Sequence, residues 1–120
     1  MEPRLPRPEE LTPAEQKAYA LSRAALALDH ARQARKSDQD PVTIVEALNH
    51  NLELWVGIQS MVKTANGSLP EEVKSNLWKL GDFVIGTTFR NGHEIADQAL
   101  ETLININLQI SEGLLEGQAA

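Results

Sequence analysis

Cysteine is absent from the 120-residue sequence, and no long apolar run or glycine cluster is present. Without cysteine, a disulfide framework, a thiol nucleophile and a cysteine-ligated zinc or iron–sulfur site are excluded. The seven scattered glycines form no phosphate-binding loop. No stretch of about 18 uncharged apolar residues could span a membrane, and the N-terminal residues lack the apolar segment of a signal peptide. We therefore expect a cytoplasmic protein that does not associate with membranes.

Basic residues are scarce in most of the chain. The formal net charge is −6. Beyond Pro41 the only lysines and arginines are Lys63, Lys74, Lys79 and Arg90. A nucleic-acid-binding surface needs clustered Lys and Arg to displace counterions from the phosphates. The sequence therefore disfavours direct binding to DNA or RNA.

Short polar breaks divide the chain after residue 12 into four segments with apolar residues at helical spacing. These segments are residues 13–36, 41–66, 68–91 and 93–115. Thr12, Pro13 and Glu15 form the sequence pattern of a capping box at the first helix. We predict an all-α fold, a small bundle of about four helices over residues 13–116, after a flexible, proline-rich tail at residues 1–12.

Residues 104–110 alternate strictly between apolar and polar side chains, which is the period of a β-strand. A lone strand would find no partner elsewhere in the chain for its backbone hydrogen bonds. We therefore predict that this segment is helical as well.

Few residues suggest catalysis or metal binding. The segment 93–97 resembles the zinc motif His-Glu-x-x-His, but Asp97 stands where the second histidine is required. We interpret it as a solvated helix start with acids near the positive end of the helix dipole. Glu46, His50 and Glu53 share one helical face and could hold a metal weakly, but a surface ion pair is the better interpretation. We expect neither an enzyme nor a metal or other cofactor.

Three asparagines lie within apolar stretches, at Asn51, Asn105 and Asn107. They either face water or bond between helices in the core, or they anchor a partner in a groove, since an unpaired buried amide is costly. The second and fourth segments also carry more apolar residues than a minimal core requires. A surplus apolar face would suit an amphipathic partner helix or would close a homodimer.

Four sequence elements resemble the FlaF family of flagellar biosynthesis regulators. They are Ala47-Leu48-x-x-Asn51-x-x-Leu54-Trp55, Leu69-Pro70, Leu80-x-x-Phe83-Val84 and Leu103-Ile104-x-Ile106-Asn107-x-x-Ile110-x-x-Gly113-Leu114. The similarity covers roughly residues 41–115, whereas the first helix departs from the family pattern.

The resemblance implies a flagellin-binding secretion chaperone that couples flagellin synthesis to export, with the regulator FlbT as a further partner. Its client segments would be the amphipathic terminal helices of flagellin. The partner-binding residues expected from the motifs are Asn51, Leu54, Trp55, Ile106, Asn107 and Leu114. The same motifs could instead be architectural, with Trp55 packed beneath the fourth helix. An alternative function is a structural or self-associating helical adaptor with no flagellin client.

Overall fold

The computed structural model describes residues 10–37, 41–64 and 69–119, and it contains four α-helices in this part of the chain. They are α1 Pro13–Ser37, α2 Val42–Thr64, α3 Glu71–Asn91 and α4 Asp97–Ala119, with a short 3-10 helix Gly92–Glu94 before α4. The predicted all-α fold is confirmed. Residues 1–9 of the predicted tail lie outside the described residues.

The start of α1 is set by local hydrogen bonds. The Thr12 N–H donates to Glu15 Oε1 at 3.0 Å, and the Glu15 N–H donates to Thr12 Oγ1 at 3.1 Å. These reciprocal bonds satisfy two amides that an α-helix leaves without partners in its first turn. The predicted capping box is confirmed. The sequence also predicts helix caps at Asp40 and Ser68 and a helix end at Asn66–Gly67, but these residues lie outside the described ones.

The prediction that the fourth helix begins at His93 is wrong. The pair Asn91-Gly92 predicts a helix end, and Gly92 does end α3, with φ +56° and its N–H bonded to the Thr88 carbonyl. The chain then forms a 3-10 turn and an extended residue, Ile95, before α4 begins at Asp97. Ile95 is buried, and its carbonyl accepts a hydrogen bond from Arg35 Nη1 at 2.6 Å. This contact with α1 holds Ile95 outside the helix.

The segment 104–110 is helical, as predicted, and lies wholly within α4. Its buried residue Asn107 is four residues from Leu103 and from Ser111, which are buried as well. Its exposed residues Asn105 and Leu108 lie on other faces of the helix. The apolar–polar alternation therefore reflects a half-buried helix and not a strand.

The helices pack in the order α4, α1, α2 and α3. α1 runs antiparallel to α4, α2 packs between α1 and α3, and α3 contacts α4 only slightly. The molecule measures 44 × 40 × 20 Å, which is about two helix diameters thick. None of the helices in the described part of the chain is long and apolar enough to span a membrane.

Gly81 marks a close approach of α3 to α2; its sequence position suggests either such an approach or a bend in the helix. A Cβ atom at Gly81 would lie 2.7 Å from Gln59 Nε2 and 2.8 Å from Gln59 Cγ. That amide is held in place, because Gln59 Nε2 donates to the Trp78 carbonyl and to Asp82 Oδ1, each at 3.0 Å. In contrast, a Cβ atom at Gly113 on α4 would meet nothing within 4 Å.

We expect Gly113→Ala to raise the free energy of unfolding by about 0.5–1 kcal/mol, since alanine restricts the unfolded chain and favours the helix. Gly81→Ala has the same favourable effect on helix formation, but the new methyl group displaces Gln59 from two hydrogen bonds. We therefore expect no net increase in the free energy of unfolding. Urea denaturation followed by circular dichroism measures both variants. Equal stabilisation by the two substitutions would contradict the close approach at Gly81.

Candidate functional site

The six residues predicted to bind a partner lie at different depths in the structure. Trp55, Asn51 and Asn107 are fully buried, and Leu114 is nearly so. Leu54 and Ile106 are half-buried and pack against the apolar core. The six residues, from α2 and α4, therefore lie in or against the interior of the protein and do not form an open surface.

Asn107 is the centre of a hydrogen-bonded network between three helices. The indole N–H of Trp55 donates to Asn107 Oδ1 at 2.9 Å. Asn107 Nδ2 donates to Asn51 Oδ1 at 2.7 Å and to the Leu21 carbonyl on α1 at 3.4 Å. One side chain of α4 thus links α1 and α2 through three polar contacts.

The chemistry of the donors determines how each amide is oriented. An indole nitrogen can only donate, so the Asn107 atom that faces Trp55 must be its oxygen. The Asn107 nitrogen then points to Asn51 and Leu21, and it requires the oxygen of Asn51 as acceptor. The remaining Asn51 Nδ2 is buried with no hydrogen-bond partner among the described residues. The network therefore ends in an unpaired donor, and buried unpaired donors cost about 1–3 kcal/mol each.

In this arrangement Asn51, Trp55 and Asn107 hold α1, α2 and α4 in register. Trp55 lies in the core beneath α4, which is the architectural alternative raised from the sequence. A partner could reach these three side chains only if α2 and α4 separated, so partner binding at these residues stays a prediction. Asn105, which has a similar sequence context, is exposed instead.

A second polar contact crosses between α1 and α4. Ser111 Oγ donates to the Ala18 carbonyl at 2.6 Å and accepts a hydrogen bond from Ser22 Oγ at 2.8 Å. A side chain of α4 can hydrogen bond to the backbone of α1 only where the two helices lie close together. The small side chain of Ala18 permits this short distance between α1 and α4. Neither serine stood out in the sequence, because their spacing along the chain gives no sign of this pairing.

The segment 93–97, which resembled a metal motif, has a structural role at its acidic end. Arg35 Nη2 donates to Asp97 Oδ1 at the start of α4. This hydrogen bond from Arg35, together with the charges of Arg35, Lys36 and Arg32, lowers the pKa of Asp97 below its ordinary value. Within the described residues, no three His, Asp or Glu side chains come close enough together to hold a metal ion.

An apolar cleft lies along another flank of α2, between α2 and the end of α3. We call it the α2–α3 cleft; its volume is about 220 Å³, and it is lined by Val45, Leu48, Asn49, Leu52, Thr88, Phe89, Gly92 and His93. Phe89 is 73% exposed, more than any other large apolar side chain in the described part of the chain. Val56, also exposed, lies one helical turn beyond Leu52 on the same flank of α2.

Reasoning from the sequence did not single out this cleft. Val45, Leu52 and Val56 follow helical spacing, but they lie about a quarter turn around α2 from Trp55, at 100° per residue. This angle between the three residues and the buried Trp55 can be read from the sequence. It indicates a second apolar flank, although not which helix borders it.

A family profile described as flagellar protein FlaF matches residues 6–114, and so includes α1 as well as the region of the sequence resemblance. No curated protein and no solved structure matches the chain.

Proposed function

The chain belongs to the FlaF family of flagellar proteins, and on this premise we propose that it binds flagellin in the cytoplasm as a secretion chaperone. It acts by binding and not by catalysis, and it couples flagellin synthesis to export, with FlbT as a further partner. The client segments are the amphipathic terminal helices of flagellin. The observation that carries the proposal is the α2–α3 cleft.

The cleft suits one apolar face of a helix better than it suits a small molecule. Its volume of about 220 Å³ is below the range of about 300–1,000 Å³ that is usual for small-molecule pockets. Phe89 forms one wall, and Val45 and Leu52 lie on the facing helix. An amphipathic helix places apolar side chains at i, i+3, i+4 and i+7, which is the spacing needed to follow such a cleft.

Exposure of Phe89 has a free-energy cost that a partner would remove. Burying a phenylalanine side chain contributes about 1.5–3 kcal/mol relative to leaving it in water. Clustered exposed apolar residues with a polar rim are typical of interaction surfaces. Asn49 and His93 supply that rim and can hydrogen bond to a docked helix.

Titration calorimetry of the purified protein against its host's flagellin tests this function. We expect binding at micromolar affinity or tighter, about 8 kcal/mol or more, that is lost when one flagellin terminus is removed. Phe89→Glu is expected to weaken binding by at least about tenfold, because it places a charge in the apolar contact. Phe83→Glu is the matched control, since Phe83 is 45% exposed on α3 but does not line the cleft.

Two results would count against the proposal. Absence of binding by protein shown to be folded by circular dichroism would exclude flagellin as the partner and favour the adaptor alternative. Binding that is unchanged by Phe89→Glu would exclude the α2–α3 cleft as the binding surface.

A further inference from the structure

A second exposed apolar surface lies on the outer side of the α1–α4 pair. Tyr19 and Leu26 on α1 and Leu108 on α4 are 40%, 68% and 43% exposed, respectively. We call the surface formed by these three residues, with the charged residues beside them, the α1–α4 flank.

Two contacts between the helices place Leu26 and Leu108 on one surface. Ser22 bonds to Ser111 at 2.8 Å, and Arg32 bonds to Glu101 at 3.5 Å further along the same pair of helices. Leu26 lies one turn after Ser22, and Leu108 lies one turn before Ser111. Both leucines are therefore on the stretch between the two contacts.

The charges on the two halves of the flank are opposite. Arg23 on α1 is exposed, and Glu112 on α4 is exposed. Neither of the two side chains forms an ion pair with another described residue. The sequence of α4, Asp97–Ala119, contains acidic residues and no Lys, Arg or His. The sequence of α1, Pro13–Ser37, contains five Lys and Arg residues against two acidic residues. The flank thus has a net basic half on α1 and an acidic half on α4, with an apolar centre.

We propose that the α1–α4 flank binds the same flank of a second copy of this chain, forming a two-fold symmetric dimer. When the two-fold axis runs parallel to the helices, α1 of each copy faces α4 of the other. Basic α1 surface then meets acidic α4 surface twice, because a two-fold interface repeats every contact. An axis perpendicular to the helices would place α1 on α1 and α4 on α4, with like charges opposed.

The area of the flank is sufficient for a stable dimer. α1 has 25 residues and is about 37 Å long at 1.5 Å per residue. Two adjacent helices are about 20 Å wide, so the flank offers about 700 Å² per copy. Stable protein interfaces of standard size bury about 600–1,000 Å² per partner. A dimer would also cover Leu26, which nothing in the described part of the chain covers.

The dimer goes beyond the proposed flagellin binding and uses a different surface. α3, which carries Phe89, packs mainly against α2 and not along α1 or α4. Both α2–α3 clefts therefore stay open in the dimer. A dimer would present two clefts, and two linked binding sites raise the avidity for a partner that can engage both.

Sedimentation equilibrium of the full chain over a concentration series tests the proposal. We expect a reversible monomer–dimer equilibrium for the wild type, and a dissociation constant at least about a hundredfold higher for Leu26→Glu. Phe89→Glu is the control and should dimerise like the wild type. A monomeric wild type at all concentrations, or a Leu26→Glu variant that dimerises normally, would overturn the proposal.

Charge reversal tests the arrangement separately from the apolar contact. Arg23→Glu and Glu112→Arg should each raise the dissociation constant by about tenfold, and the double variant should return to within about threefold of the wild type. Failure of the double variant to recover would overturn the pairing of α1 with α4. If Leu26→Glu does not fold, the variants Arg23→Glu and Glu112→Arg still test whether the α1–α4 flank forms the dimer. Since flagellin binding is measured by a separate titration, either proposal can fail without the other.

Discussion

Replacing Asn107 with leucine is expected to lower the free energy of unfolding by about 3 kcal/mol. The substitution fills a similar volume, but it removes the acceptor of the buried Trp55 indole N–H and the donor to Asn51 Oδ1. Each buried polar group left without a partner costs about 1–3 kcal/mol. Urea denaturation at neutral pH, followed by circular dichroism, measures the change.

Asn51→Leu provides the matched comparison, because Asn51 is buried to the same extent and belongs to the same network. Its Nδ2 has no partner in the native state, so the substitution removes an unsatisfied donor together with one acceptor. Asn107 Nδ2 still reaches the Leu21 carbonyl. We therefore expect a loss of at most about 1 kcal/mol. Equal losses for the two variants would show that the network is not oriented from Trp55 through Asn107 to Asn51.

Trp55→Ala is expected to destabilise the protein by about 3–5 kcal/mol, through lost burial and the cavity that remains. Trp55 is the largest fully buried side chain in the described part of the chain. Domains of this kind are stable by only about 5–15 kcal/mol, so the variant would be close to unfolding at room temperature. Thermal and urea denaturation followed by circular dichroism would show the loss as a lower transition midpoint.

Trp55→Phe separates the volume of this side chain from its hydrogen bond. Phenylalanine keeps much of the apolar contact but leaves Asn107 Oδ1 without its donor, so we expect a loss of about 1–2 kcal/mol and a folded protein. Because Trp55 is buried, this variant should bind flagellin with unchanged affinity. An affinity tenfold weaker, with the fold intact, would instead show that Trp55 contacts the partner after a separation of α2 and α4.

Helix positions were largely predictable, because their signals are local. The capping box at Thr12 and Glu15 and the end of α3 at Gly92 depend on hydrogen bonds between residues three or four apart. The positions of residues around the helix axis, relative to the apolar residues, also indicated which side chains are buried. Asn107 is four residues after buried Leu103 and lies on the same face of the helix. Asn105 is two residues after Leu103 and lies on another face. This spacing distinguishes the buried asparagine from the exposed one.

The candidate sites were only partly predictable. Asn51, Trp55 and Asn107 stood out as unusual residues in apolar stretches, but the same stretches could have formed a groove or a core. The α2–α3 cleft could not be foreseen, because it requires Phe89 to lie beside Val45 and Leu52. Periodicity places each residue on a face of its own helix. It does not say which other helix that face meets.

By itself the sequence determined the helical fold, most of the helix boundaries and the resemblance to the FlaF family. Only the tertiary structure decided that α4 begins at Asp97, that Asn51 ends the polar network with an unpaired donor, and that Phe89 stays in water. The first depends on Arg35, 60 residues before Ile95 in the chain, and the second on a bond between residues 56 apart. Contacts over such separations form only when whole helices pack, so their partners cannot be predicted from spacing along one helix.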